Sequence, residues 1–95
     1  MPRDKLQTQQ MVSFVRLDTI RDMTGIAKVM GLMQTDVKEM SKARTALDST
    51  DESSQAAALM DISIYGDDAA NKAEKLIHRV KDIRAKLESF KKQMK

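Results

Sequence analysis

Ala69, Ala73, Leu76, Val80, Ile83, Leu87, Phe90 and Met94 follow one another at steps of four, three, four, three, four, three and four. An apolar 4-3 repeat held for more than three heptads commits this segment to a long helix with one face against another helix. A second repeat precedes it. Met23, Ile26, Met30, Met33, Val37 and Met40 step by three, four, three, four and three, and the next positions are Arg44 and Leu47. Two seams of similar length predict a pair of helices packed knobs-into-holes. Arg44 is the one charge in the first seam, near its end, where the stem can pack while the guanidinium reaches water.

Composition narrows the choice further. Phe14, Tyr65 and Phe90 are the only aromatics, so Leu, Ile, Val, Met and Ala must fill the core. One Pro and three Gly leave few turns, which favours a few long elements. The expected fold is all-α: an antiparallel helical bundle or coiled-coil hairpin of two long helices and one short middle helix, forming one domain over residues 1–95. Helix 1 is expected over about 5–47 with a defect near Gly25, because Phe14, Leu17 and Ile20 fall out of register with the seam that follows. Asp51 or Ser53 would cap a short helix over about 53–64, Gly66 would end it, and Asp67 or Asp68 would cap a third helix over about 68–95. So short a middle helix leaves part of the seam open. The chain is therefore expected to self-associate, most simply as a two-fold homodimer.

Charge divides the chain in three. Residues 1–47 hold eight Lys/Arg and five Asp/Glu; residues 48–71 hold six acids and no Lys/Arg; residues 72–95 hold nine bases and three acids. With no Cys, neither a disulfide framework nor a thiolate metal site can form. The N-terminus MPRDKLQTQQ lacks the apolar stretch of a secretory signal, and no run reaches the roughly 18 apolar residues of a membrane span. A soluble, cytoplasmic protein is the expectation.

Catalytic chemistry finds no foothold. Glu74 and Asp82 share a helix face with the lone His78, but one imidazole between two carboxylates is the composition of an ordinary solvated face. The stretch DSTDESS reads as a polar cap and linker, and no Gly-rich phosphate loop occurs. Neither an enzyme nor a cofactor is expected. The basic helix carries Lys72, Lys75, Arg79, Lys86 and Lys92 without aromatic platforms, which disfavours nucleic acid.

The remaining signal is methionine. Met23, Met30, Met33 and Met40 lie in one seam, and flexible, polarisable Met side chains suit surfaces that accept varied apolar partners. KVMGLMQTDVKEMSKA is loosely similar to the Met-rich helices of ESCRT-III membrane-remodelling proteins. Leu76, Arg79, Val80, Ile83 and Arg84 resemble the helical motif by which those proteins engage their ATPase. Any amphipathic basic helix matches that pattern, so no family is assigned.

The expected function is a non-catalytic interaction module, an adaptor, chaperone-like protein or assembly subunit, gripping a partner helix in an apolar Met-rich groove. Met23, Met30, Met33, Lys75, Arg79 and Lys86 are the candidate contacts. Ile26, Val37, Met40, Leu76, Val80, Ile83, Leu87 and Phe90 are the candidate core seam. The competing expectation is electrostatic binding of the C-terminal helix to nucleic acid or an anionic membrane, as in a membrane-trafficking component.

Overall fold

The computed structural model describes residues 5–94. Two helices fill it, α1 over Lys5–Ala46 and α2 over Glu52–Met94, with no strand among the described residues. They pack against each other as one long hairpin measuring 74 × 16 × 14 Å. Its tip is the turn at residues 47–51, and its open end holds both helix termini. Lys95, expected to close the last helix, lies outside the described residues.

The tip is built by local hydrogen bonds. The amides of Leu47, Asp48 and Ser49 donate to the carbonyls of Arg44, Thr45 and Ala46, three residues back, which tightens the end of α1. Asp51 then caps α2. Its Oδ1 accepts the Ser53 amide at 3.3 Å and its Oδ2 accepts the Ser54 hydroxyl at 2.8 Å. These bonds, the Ser54 hydroxyl's first, hold the Asp51 carboxyl below its usual 3.8. Behind the cap, the Gln55 side-chain amide donates to the Ser49 carbonyl at 2.6 Å.

The expected short middle helix does not exist as a separate element. α2 runs unbroken through Gly66, Asp67 and Asp68, and no residue there takes a positive φ. Gly66 lies on the side of α2 towards α1, where an added Cβ would stand 3.6 Å from Met40 Cε. The line Gln55, Ala58, Ile62, Tyr65, Ala69, Lys72 and Leu76 crosses it at regular 3-4 steps, all buried or half-buried. Packing along that whole line outweighs the helix cost of one Gly, about 1 kcal/mol. Asp67 and Asp68 are thus interior helix residues rather than caps.

α1 is likewise continuous through Gly25. The register slip is absorbed within the seam. Half-buried and buried positions run Met11, Val15, Asp18, Asp22, Gly25, Val29, Met33, Asp36, Met40, Ala43 and Leu47, with two successive steps of four at 25–29–33. Such a stutter shifts the contact line around the helix without breaking it. Gly31 sits outside the line, and a Cβ added there meets nothing within 4 Å. Gly31→Ala is therefore expected to stabilise the fold by about 1 kcal/mol, seen as a higher melting temperature by circular dichroism at fixed concentration. A lower one would mean that this face is already in contact.

The hairpin has little core of its own. Among the described residues, Ile26, Ala43 and Ala58 are the only buried apolar ones, and no described side chain is fully enclosed. The chain exposes 7503 Å², against about 5,500 Å² for a compact monomer of its mass.

Candidate interaction face

The seam between the helices is rotated from the line the sequence suggests. Ile26, Met33, Met40, Leu76, Ile83 and Phe90 do point between the helices, buried or half-buried. The alternate positions do not. On α1, Asp22, Val29, Asp36 and Ala43 face α2, while their neighbours Met23, Val37 and Arg44 are exposed, Val37 by half. On α2, Lys72 lies in the seam and Arg79 and Lys86 reach α1, while Val80, expected in the core, is half exposed. Leu87 is half-buried. The shift is one residue, about 100° of helix rotation.

Three basic side chains at seven-residue spacing lie along α1, and two of them, Lys72 and Lys86, tie the helices together by ion pairs. Lys72 Nζ donates to Asp36 Oδ2 at 3.1 Å and also pairs with Asp68. The Asp36 side chain is only 9% exposed, so this is the most enclosed ion pair of the hairpin. Arg79 lies over Gly25, where an added Cβ would come within 2.7 Å of its Nη1. Lys86 Nζ bridges Asp18 Oδ2 and Asp22 Oδ2, each at 2.9 Å. Arg79 and Lys86, expected to meet an outside partner, are thus turned towards α1, and Lys75 is exposed. Apolar periodicity alone does not reveal this network, because its members are charged. The signal available was the match of Lys72 with Asp36 and of Lys86 with Asp18 and Asp22 on the opposite helix.

The network also sets a pH window. Asp18 is held below its usual 3.8, chiefly by the hydrogen bond from Lys86, and Asp68 likewise by Lys72. The Lys86 amine is raised above 10.5 by Asp18 and then Asp22, and the Lys72 amine by Asp68 and then Asp36. The acids contribute stability that is complete above their unfolded pKa and is lost as pH falls through the lowered folded values. The lysines contribute stability that is complete below 10.5 and is lost as pH rises through the raised values. A pH series of thermal melts is expected to show a plateau from about pH 5 to pH 10 and a decline on both sides. A melting temperature that is unchanged in acid and alkali would contradict this.

With Asp22, Asp36 and Lys72 taking places in the seam, some apolar side chains face outward. Val37, Met40, Ser41, Arg44 and Ile62 line one groove beside the seam, whereas Glu39, Lys42, Ser54 and Asp61, with Ala43, Ala46, Ala57 and Ala58, line the opposite groove. Met23 and Met30 precede Val37 by fourteen and seven residues and continue its line along α1. On α2, Leu76, Ile77 and Val80 form a further apolar groove bordered by Lys81 and Arg84. Helix geometry puts Leu59, Ala73, Val80, Leu87 and Met94 on the same side as Val37: Leu59 and Ala73 are each one residue past a seam position, and the others follow Ala73 at steps of seven. The two lines expected to pack on each other therefore lie side by side on one face. Met33, a candidate contact, sits half-buried at its base. At the open end, Met11, Phe14, Val15 and Phe90 line another groove.

Comparisons with protein-family models, curated proteins and solved structures gave no match. Among the described residues, no group of three or more His, Cys, Asp or Glu could hold a metal ion. Glu74, His78 and Asp82 are all exposed. None of the described helices is long and apolar enough to cross a membrane.

Proposed function

We propose that the chain is a non-catalytic helical interaction module that works by docking an α-helical partner on the Met23–Met30–Val37 face. The partner is a helix of another protein or of a second copy, and the module serves as an adaptor, chaperone-like protein or assembly subunit. The observation that carries this reading is the exposure of Met23, Met30 and Val37 on α1 and of Leu59, Val80 and Met94 on α2, all on one face. A contiguous apolar surface of this kind marks an interaction site, and amphipathic helices dock in such grooves through residues at heptad spacing. Methionines at 23 and 30 let the surface adapt to its occupant.

One observation favours a second reading. Lys81 and Arg84 border the Leu76–Ile77–Val80 groove, so the basic half of α2 could meet an anionic membrane or nucleic acid. Site-specific photo-crosslinking separates the two. A diazirine side chain at Val37 is expected to give a defined protein adduct, and the same group at Lys42, in the opposite groove, none. The adduct should persist when salt rises from about 0.1 to about 0.5 M, because burial rather than charge drives it. Adducts from Lys42 alone, or their loss in salt, would favour the electrostatic reading.

A further inference from the structure

Building on the reading of the apolar face as a docking surface, we infer that its occupant is a second copy of this chain, laid face to face and antiparallel. α1 then packs along α1 of the other copy, and α2 along its α2, closing a four-helix bundle.

Three observations lead there. The first is the position of the apolar stripe. It lies at the corner between the partner helix and the free face, beside a seam in which Asp18, Asp22, Asp36 and Lys72 alternate with apolar residues. In a four-helix bundle the apolar stripe of each helix points to the bundle axis and polar flanks line the contacts between neighbours. The hairpin has the side-chain layout of half a bundle. The second is area. One long side of a body of 74 × 16 × 14 Å offers roughly 1,000 Å², above the ~800 Å² per partner of a stable interface.

The third is charge, and it sets the direction. From residue 52 to 71, α2 carries four acids and no Lys/Arg; from 72 to 94 it carries eight bases and three acids. Antiparallel stacking of α2 on α2 lays each acidic half along a basic half. A two-fold axis along the hairpin would instead bring the two acidic tips together, with Asp48, Asp51 and Glu52 contributed twice, and the two basic ends together.

The chain contains no Cys, so one introduced Cys carries one spin label. Glu74→Cys labels the middle of α2 and Thr50→Cys labels the tip. In the full chain at about 100 µM, well above a micromolar Kd, pulsed dipolar spectroscopy of the Glu74→Cys protein should give an intermolecular distance under about 30 Å, a few helix diameters. The Thr50→Cys labels should sit at opposite ends, separated by close to the 74 Å length. A short Thr50→Cys distance overturns the antiparallel arrangement. The absence of any Glu74→Cys distance, with a monomeric mass, overturns self-pairing. In that case a surviving Val37 adduct with another protein leaves the docking face standing, and its loss removes both.

Discussion

Met30→Asp is expected to weaken association about 1,000-fold while leaving every ion pair of the hairpin in place. Met30 is 42% exposed beside the seam and makes up the centre of the free face with Val37 and Val80. Burying the exposed part of Met30 stabilises by about 1 kcal/mol, and leaving a carboxylate there instead costs about 1 kcal/mol or more. In a two-fold interface both losses enter twice, and about 4 kcal/mol is close to three decades in Kd. Thr35→Asp is the control, with the same charge placed on an exposed position away from the face. Sedimentation equilibrium should find the Thr35→Asp protein unchanged and the Met30→Asp protein dissociated. Equal behaviour of the two would mean that the apolar face carries no binding energy.

Lys86→Glu should have the largest effect inside the hairpin. Lys86 is the shared partner of Asp18 and Asp22, at 2.9 Å from each. Reversal sets three carboxylates against one another at the open end, beside the Met11–Phe90 groove. Amide exchange over residues 5–22 and 83–94 is expected to quicken by an order of magnitude or more as this end opens locally. The tip, held by Ala43 and Ala58 and by the Asp51 cap, should keep its protection. Adding Asp18→Lys to Lys86→Glu should restore slow exchange, since opposite charges again face each other. Fast exchange without rescue would show that Lys86 acts through its packed stem rather than its charge.

These two residues mark how far the sequence could be read. Long helices were legible from Leu76, Ile83 and Phe90, and from Ile26, Met33 and Met40, because these positions face inward whichever side of the heptad line the partner takes. The alternate positions were ambiguous. Apolarity selects Met30, Val37 and Val80 for the seam, while the fold gives those places to Val29, Asp36 and Arg79. An apolar line can be buried by the hairpin's own second helix or by a further chain, and periodicity does not distinguish the two. Only the cross-helix match of Lys72 with Asp36, and of Lys86 with Asp18 and Asp22, fixes the pairing, and it requires knowing which residues oppose.

The glycines were ambiguous for a related reason. Gly66 followed by Asp67 and Asp68 has the local form of a helix stop and restart. Local preference is worth about 1 kcal/mol, and a seam running the length of the hairpin outweighs it. At Gly25 the register slip was real, but two successive four-residue steps accommodate it without a break. The candidate face became visible only when the charged seam was known, since its residues look like core until something else occupies the core.

Light scattering on the size-fractionated chain, over a concentration series, tests the central claim most directly. A hairpin that is half of a four-helix bundle should scatter as twice the 10.7 kDa chain mass at micromolar concentration and above, and the Met30→Asp protein should scatter as a single chain. A fully helical wild-type protein of 10.7 kDa at every concentration would contradict it.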